Sequence, residues 1–207
     1  MRELTEIDER ILEESRKQFL EQGIINTEMK DIAKRLGCSR STLYRHFASK
    51  GDILMLLARR ALAVIDQSVR IPEDKVFGCG YDELEWQMYS MVKAQVLHIE
   101  DVTFLRDFDC LFTKGYPDTA EKDDFLNDVS NSMALMRVKE SILRGMEDGS
   151  IKHFNDPDLL ALTVTNANLS MGQRILPRES LYIEEHGYGR ELLRCQMEVL
   201  LASIKNK

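Results

Sequence analysis

The chain has 207 residues, 43% of them hydrophobic and 30% charged, with a formal net charge of −7. No apolar run approaches the ~18 residues of a membrane span, and the opening MRELTEIDER reads as a charged helix rather than a signal peptide, so a cytoplasmic location is expected. Cys38, Cys79, Cys110 and Cys195 lie far apart with no C-x-x-C pair, which writes neither a disulfide scaffold nor a zinc site, and no cofactor is expected.

A first helix spans roughly Leu4 to Gln22, with Ile7, Ile11, Leu12, Phe19 and Leu20 on one face, and Gly23 stops it. Thr27 then reads as the N-cap of a helix from about Glu28 to Arg35, whose Met29, Ile32, Ala33 and Leu36 keep 3.6-residue spacing. Gly37 accepts a positive φ at no steric cost, and Ser39 caps a second short helix. That helix, Arg40 to about Phe47, is too short to stand alone, so Leu43 and Phe47 must pack it against its neighbours. Its other face offers Arg40, Ser41, Thr42, Tyr44, Arg45 and His46, the profile of a helix that reads a DNA groove. Ser49 and Asp52 form a capping box that opens a long helix to about Val69, and Lys50 adds a cation at its positive end, where a phosphate is favoured.

Charge is distributed unevenly. Between Ile24 and Lys50 six basic residues face two acidic ones, whereas from Gly51 onward 18 basic residues face 26 acidic ones. Positive charge is therefore confined to the candidate reading head, which matters more for nucleic acid than the net value.

Ile71 to Tyr81, with Pro72, Gly78 and Gly80, reads as a loop. Beyond it the spacing predicts helices over Tyr81 to Ile99, from an Asp101 cap to about Phe112, over Asp118 to Glu147, over Pro157 to Leu176 and over Gly189 to Ile204. Neither strand-like alternation nor an internal repeat occurs, so the expected fold class is all-α with about nine helices.

The segment IINTEMKDIAKRLGCSRSTLYRHFASKGDIL resembles the DNA-binding domain of the tetracycline-repressor (TetR) family of bacterial transcription regulators. Thr27, Ile32, Ala33, Gly37, Ser39, Leu43, Tyr44, His46, Phe47, Lys50 and Leu54 fall in register with the family pattern. Cys38 departs from a usual small β-branched residue and Gly51 from a usual acid. The resemblance implies an N-terminal three-helix helix-turn-helix domain (residues 1–48) followed by a helical effector-binding and dimerisation domain (49–207). It also implies a homodimer through Pro157–Leu176 and Gly189–Ile204, a repressor bound to a palindromic double-stranded operator, and release by a small molecule.

Arg40, Ser41, Thr42 and Arg45 are the candidates for base edges, since arginine can make bidentate contact with guanine. Thr27, Ser39, Tyr44, His46 and Lys50 match positions that the family uses on phosphates. Thr27 and Ser39 are equally readable as caps alone, and Tyr44 and His46 as packing residues. No family motif marks the ligand pocket. Trp86, Tyr89, Phe104, Phe108, Met133 and Met136, with Gln95, His98 or Asp109 as polar anchors, are candidates to line it, and such a lining suits a large apolar or cationic compound; the plain alternative is ordinary core. His46, His98, His153 and His186 are scattered and no catalytic motif occurs, so an enzyme is not expected. A redox-responsive regulator acting through Cys79 or Cys110, or one answering to a protein partner, is the alternative.

Overall fold

The computed structural model describes residues 4–206. Among them are eleven α-helices and one 3-10 turn, with a single isolated bridge, Ile151 to Lys205, in place of any strand. The helices are α1 (Glu6–Gln22), α2 (Met29–Leu36), α3 (Arg40–His46), α4 (Lys50–Ser68), α5 (Gly80–Leu97), α6 (Ile99–Leu111), α7 (Lys122–Ser130), α8 (Met133–Glu147), α9 (Pro157–Ile175), α10 (Glu179–His186) and α11 (Glu191–Ile204). The all-α expectation holds. The chain divides into two compact units, Met1–Leu62 with Thr103–Ser130, and Ala63–Val102 with Asn131–Lys207.

In the first unit, Ile11, Leu12, Phe19, Ile32, Leu43, Phe47 and Leu54 are buried together with Phe104, Phe108 and Phe125. Phe108 is the hub of an aromatic group, 4.8 Å from Phe112, 5.4 Å from Phe125 and 5.9 Å from Tyr116 between ring centroids. Arg59 on α4 reaches Glu121, Asp124 and Asp128 at 2.9, 3.1 and 2.6 Å and so ties α7 to α4. Ile7 departs from the sequence reading: it is 56% exposed and belongs to the outer face of α1.

In the second unit, Leu84, Met88 and Met91 of α5, Val138 and Ile142 of α8, Val164 of α9, and Met197 and Leu201 of α11 form one core. Gly80 and Gly145 let α5 and α8 touch: a Cβ built on Gly80 would lie 2.1 Å from the Gly145 backbone nitrogen.

Two differences from the predicted elements have local causes. The single helix expected over Asp118 to Glu147 is two, because Ser132 starts a new one: its hydroxyl accepts the Leu135 N–H, and the Asp66 carboxylate accepts the Met133 and Ala134 N–H groups and the Ser132 hydroxyl. An anion at a helix N-terminus stabilises the free N–H groups and the dipole there. The additional helix α10 buries none of its residues, so its sequence carries no apolar stripe to announce it.

Candidate nucleic-acid interface

Met29, Ile32 and Ala33 turn inward on α2, and Gly37 ends it at φ 66°, the left-handed region. The Thr42 N–H donates to the Ser39 hydroxyl at 3.1 Å, which caps α3 as expected. Thr27 does not cap α2. Glu28 is the N-cap, its N–H donating to the Asp31 carboxylate at 3.0 Å, while Thr27 is buried and its hydroxyl donates to the Gly23 carbonyl at 2.9 Å. The Thr27 hydroxyl therefore pins the preceding turn in place of capping the helix.

Leu43 and Phe47 are buried, so α3 presents Arg40, Ser41, Tyr44 and Arg45 to solvent. The Ser39, Ser41 and Thr42 hydroxyls form a chain, Ser39 lying 2.8 Å from each of the others. His46 is largely covered: its Nδ1 is 2.9 Å from Oδ1 of Asp8, a carboxylate that also accepts the Thr5 N–H to cap α1. The Lys50 ammonium donates to the Ile24 and Thr27 carbonyls at 2.9 and 3.0 Å, and partial burial pushes its pKa down. The capping box at the start of α4 is present, with the Ser49 N–H on Asp52 at 2.7 Å and the Asp52 N–H on Ser49 at 3.2 Å.

The local positive charge is narrower than its residue count. Arg35 is tied to Glu14 and Glu21 of α1, which hold its guanidinium protonated well above the usual range, and Lys30 pairs with Glu28 at 2.7 Å. Among the described residues, Lys34, Arg40 and Arg45 make no ion pair, and the two arginines stand on the exposed face of α3. A short helix carrying free guanidiniums and hydroxyls is suited to groove edges and phosphates.

The pocket candidates separate. Phe104, Phe108 and Asp109 fall in the first unit, where the two phenylalanines are core; the others fall in the second. Trp86 packs on Phe77 beneath the Lys75 ammonium, and Tyr89 is half-buried. Gln95 donates to the Asn168 carbonyl oxygen in the core, and His98 Nε2 meets the Ser68 hydroxyl at 2.9 Å. Met136 is exposed, and Met133 lines an open hollow with Ala63, Asp66, Gln67, Arg70 and Arg137. Nothing in their spacing marks Arg70, Asp66 or Arg137. The four cysteines are free thiols, with Cys110 and Cys195 exposed and Cys38 and Cys79 half-buried.

Two short helices joined by the Gly37 turn, the second with an exposed donor face, form a helix-turn-helix on an otherwise helical chain. Residues 11–56 match the family model of bacterial regulatory proteins, tetR family. The match is confined to this N-terminal segment, which holds α2, α3 and the start of α4. It is 42% identical over 67 residues to an HTH-type transcriptional regulator of Staphylococcus aureus, and 32% identical over 91 residues to another from that species. These matches span 36% and 48% of the relatives' length, so they cover less than half of either protein. Solved structures share the fold across the chain. A putative transcriptional regulator from Saccharomonospora viridis in complex with choline aligns with a TM-score of 0.73 at 21% identity, covering 99% of this chain and 100% of that one. The ketosteroid transcriptional regulator KstR2 of Mycobacterium tuberculosis aligns with a TM-score of 0.68 at 18% identity, covering 99% and 98%. Among the described residues, no helix is long and apolar enough to cross a membrane.

Proposed function

We propose that the chain is a homodimeric repressor that grips a palindromic operator through α3 and is released by a small molecule received in its helical region, residues 49–207. The observation that carries the reading is the face of α3, where Arg40, Ser41, Tyr44 and Arg45 are exposed while Leu43 and Phe47 are buried. Arg40 and Arg45, with Ser41 and Thr42, contact base edges; Thr27, Ser39, Tyr44, His46 and Lys50 serve the phosphates. For Thr27, His46 and Lys50 the service is partly indirect, since each also fixes the turn or helix that presents its neighbours.

A dimer supplies two α3 helices for half-sites in successive major grooves. The stripes on α9 and α11 are largely used within the protomer, where Val164, Ile175, Leu193, Met197, Leu201 and Ile204 are buried. Leu159 and Leu162 of α9 and Val199 of α11 are 61, 45 and 64% exposed, and this residual apolar surface supports a two-fold interface. Selecting bound sequences from random duplex DNA with the purified protein tests the reading. An inverted repeat with half-site centres ~10 base pairs apart or a multiple of that is expected; a single asymmetric site, or no enrichment, would remove it.

A further inference from the structure

Two hollows in the second unit meet at Arg137. The outer one, of about 310 Å³, is lined by Ala63, Asp66, Gln67, Arg70, Met133 and Arg137. The inner one is a crevice too narrow for a water molecule, walled by Val69, Met91, Ala134 and Val138 and closed by Gln87 and Arg137. Each of the last two brings an unused polar atom: Arg137 Nη1 and Gln87 Oε1 are buried without a hydrogen-bond partner. Gln87 is 3% exposed and its amide is fixed by donating to the Ser141 hydroxyl at 2.9 Å, so its carbonyl oxygen stays turned elsewhere. Buried polar atoms are ordinarily paired, and a buried guanidinium N–H left open on the residue shared by both hollows awaits an acceptor.

Charge decides the class of that ligand. The only carboxylate lining the outer hollow is Asp66, and it is occupied by the Ser132 hydroxyl at 2.8 Å and the Met133 and Ala134 N–H groups at 2.8 and 3.3 Å. Arg70 and Arg137 make no ion pair among the described residues. A cation would meet two free guanidiniums there, whereas a carboxylate would meet a bidentate partner. The aromatic surface that could hold a cation is already used, because the Lys75 ammonium lies 5.5 Å from the Trp86 ring centroid.

We infer that this hollow is the effector site and that it takes an organic carboxylate: the carboxylate sits on Arg137 and Arg70, and an apolar body parts the Val69, Met91 and Val138 walls. The inference rests on the reading of the protein as ligand-released, and it replaces the large apolar or cationic compound suggested by the aromatic and methionine stripe.

Calorimetric titration of the full chain with octanoate, 1-octanol and octylamine tests it. Octanoate is expected to bind saturably at one per chain, with the alcohol and the amine at least tenfold weaker, and Arg137→Gln is expected to weaken octanoate at least tenfold while melting like the wild type. Arg70→Gln serves as the second variant, with a smaller loss of octanoate affinity expected, so the test stands should the first fail to fold. Absence of octanoate binding, equal binding of octylamine or octanol, or unchanged affinity in a folded variant would overturn the site. DNA affinity in the same samples reports separately: octanoate bound without release leaves the site standing and refutes the ligand-released reading.

Discussion

His46 Nδ1 lies 2.9 Å from Asp8 Oδ1, joining the last residue of α3 to a carboxylate near the start of α1 that is only 2% exposed. Helix α3 is thereby oriented by a buried carboxylate 38 positions away in sequence. Removing the imidazole leaves that carboxylate short of a partner, so His46→Ala should cost about 1–3 kcal/mol of stability. DNA affinity should fall for all sequences alike, because no base contact is lost. Urea denaturation and anisotropy on two unrelated duplexes measure both; unchanged stability would reduce the pair to an incidental contact.

Lys50 has two tasks with separate readouts. Its ammonium holds the Ile24 and Thr27 carbonyls, and hydrogen bonds to charged groups contribute about 1.5–3 kcal/mol each when formed, so Lys50→Ala should lower stability by roughly 2 kcal/mol. It should also reduce the slope of log affinity against log salt by about 1 if its charge faces a phosphate. A stability loss with an unchanged slope would assign Lys50 to the turn alone.

Two glycines separate close packing from helix propensity. Gly80→Ala places a methyl 2.1 Å from the Gly145 nitrogen and 2.6 Å from the Ser141 carbonyl oxygen, backbone atoms that cannot step aside, and should cost about 3 kcal/mol or more. Gly51→Ala meets only Pro117 side-chain atoms and the Ser49 hydroxyl, all at 3.2 Å, and gains up to ~1 kcal/mol of helix propensity. The net change at Gly51 should stay within about 1 kcal/mol by thermal melting.

The helix-turn-helix was legible because its signals are local: Gly37 ends one helix, Ser39 caps the next, and Ser49 with Asp52 opens α4. What escaped depends on partners distant in sequence. Glu14 and Glu21 remove Arg35 from the exposed positive charge, Asp66 splits the expected long helix at Ser132, and Pro117 crowds Gly51, where an acid is usual in the family. The pocket was the least legible part. Phe104 and Phe108 carry the same helical spacing whether they face a ligand or a core, while Arg137 stands out only once its neighbours are known to leave it unpaired.

Acid sensitivity is expected from the carboxylates held below their usual range, which include Asp148 and Glu179 alongside Glu9, Glu14, Glu21 and Glu191. Asp148 is held below the usual carboxylate range by the Ser150 hydroxyl and by the Gly80 and Ser150 N–H groups, and Glu179 by the Arg190 guanidinium. A folded-state pKa below the unfolded value gives stability that is full above the unfolded pKa and is lost as pH falls through the folded one. Denaturation midpoints should therefore change little from neutrality down to the ordinary carboxylate range and drop below it. Asp148→Asn combined with Glu179→Gln should flatten that drop; an equally steep acid limb would mean that other groups carry it.

The central claim is that the outward face of α3 reads DNA, and the selected operator tests it with single-base variants of each half-site. Arg40→Ala and Arg45→Ala should each lose about 1–3 kcal/mol on the selected sequence, and at least one should lose discrimination at a defined guanine in both half-sites. Wild-type affinity and unaltered base preference in both variants would contradict it.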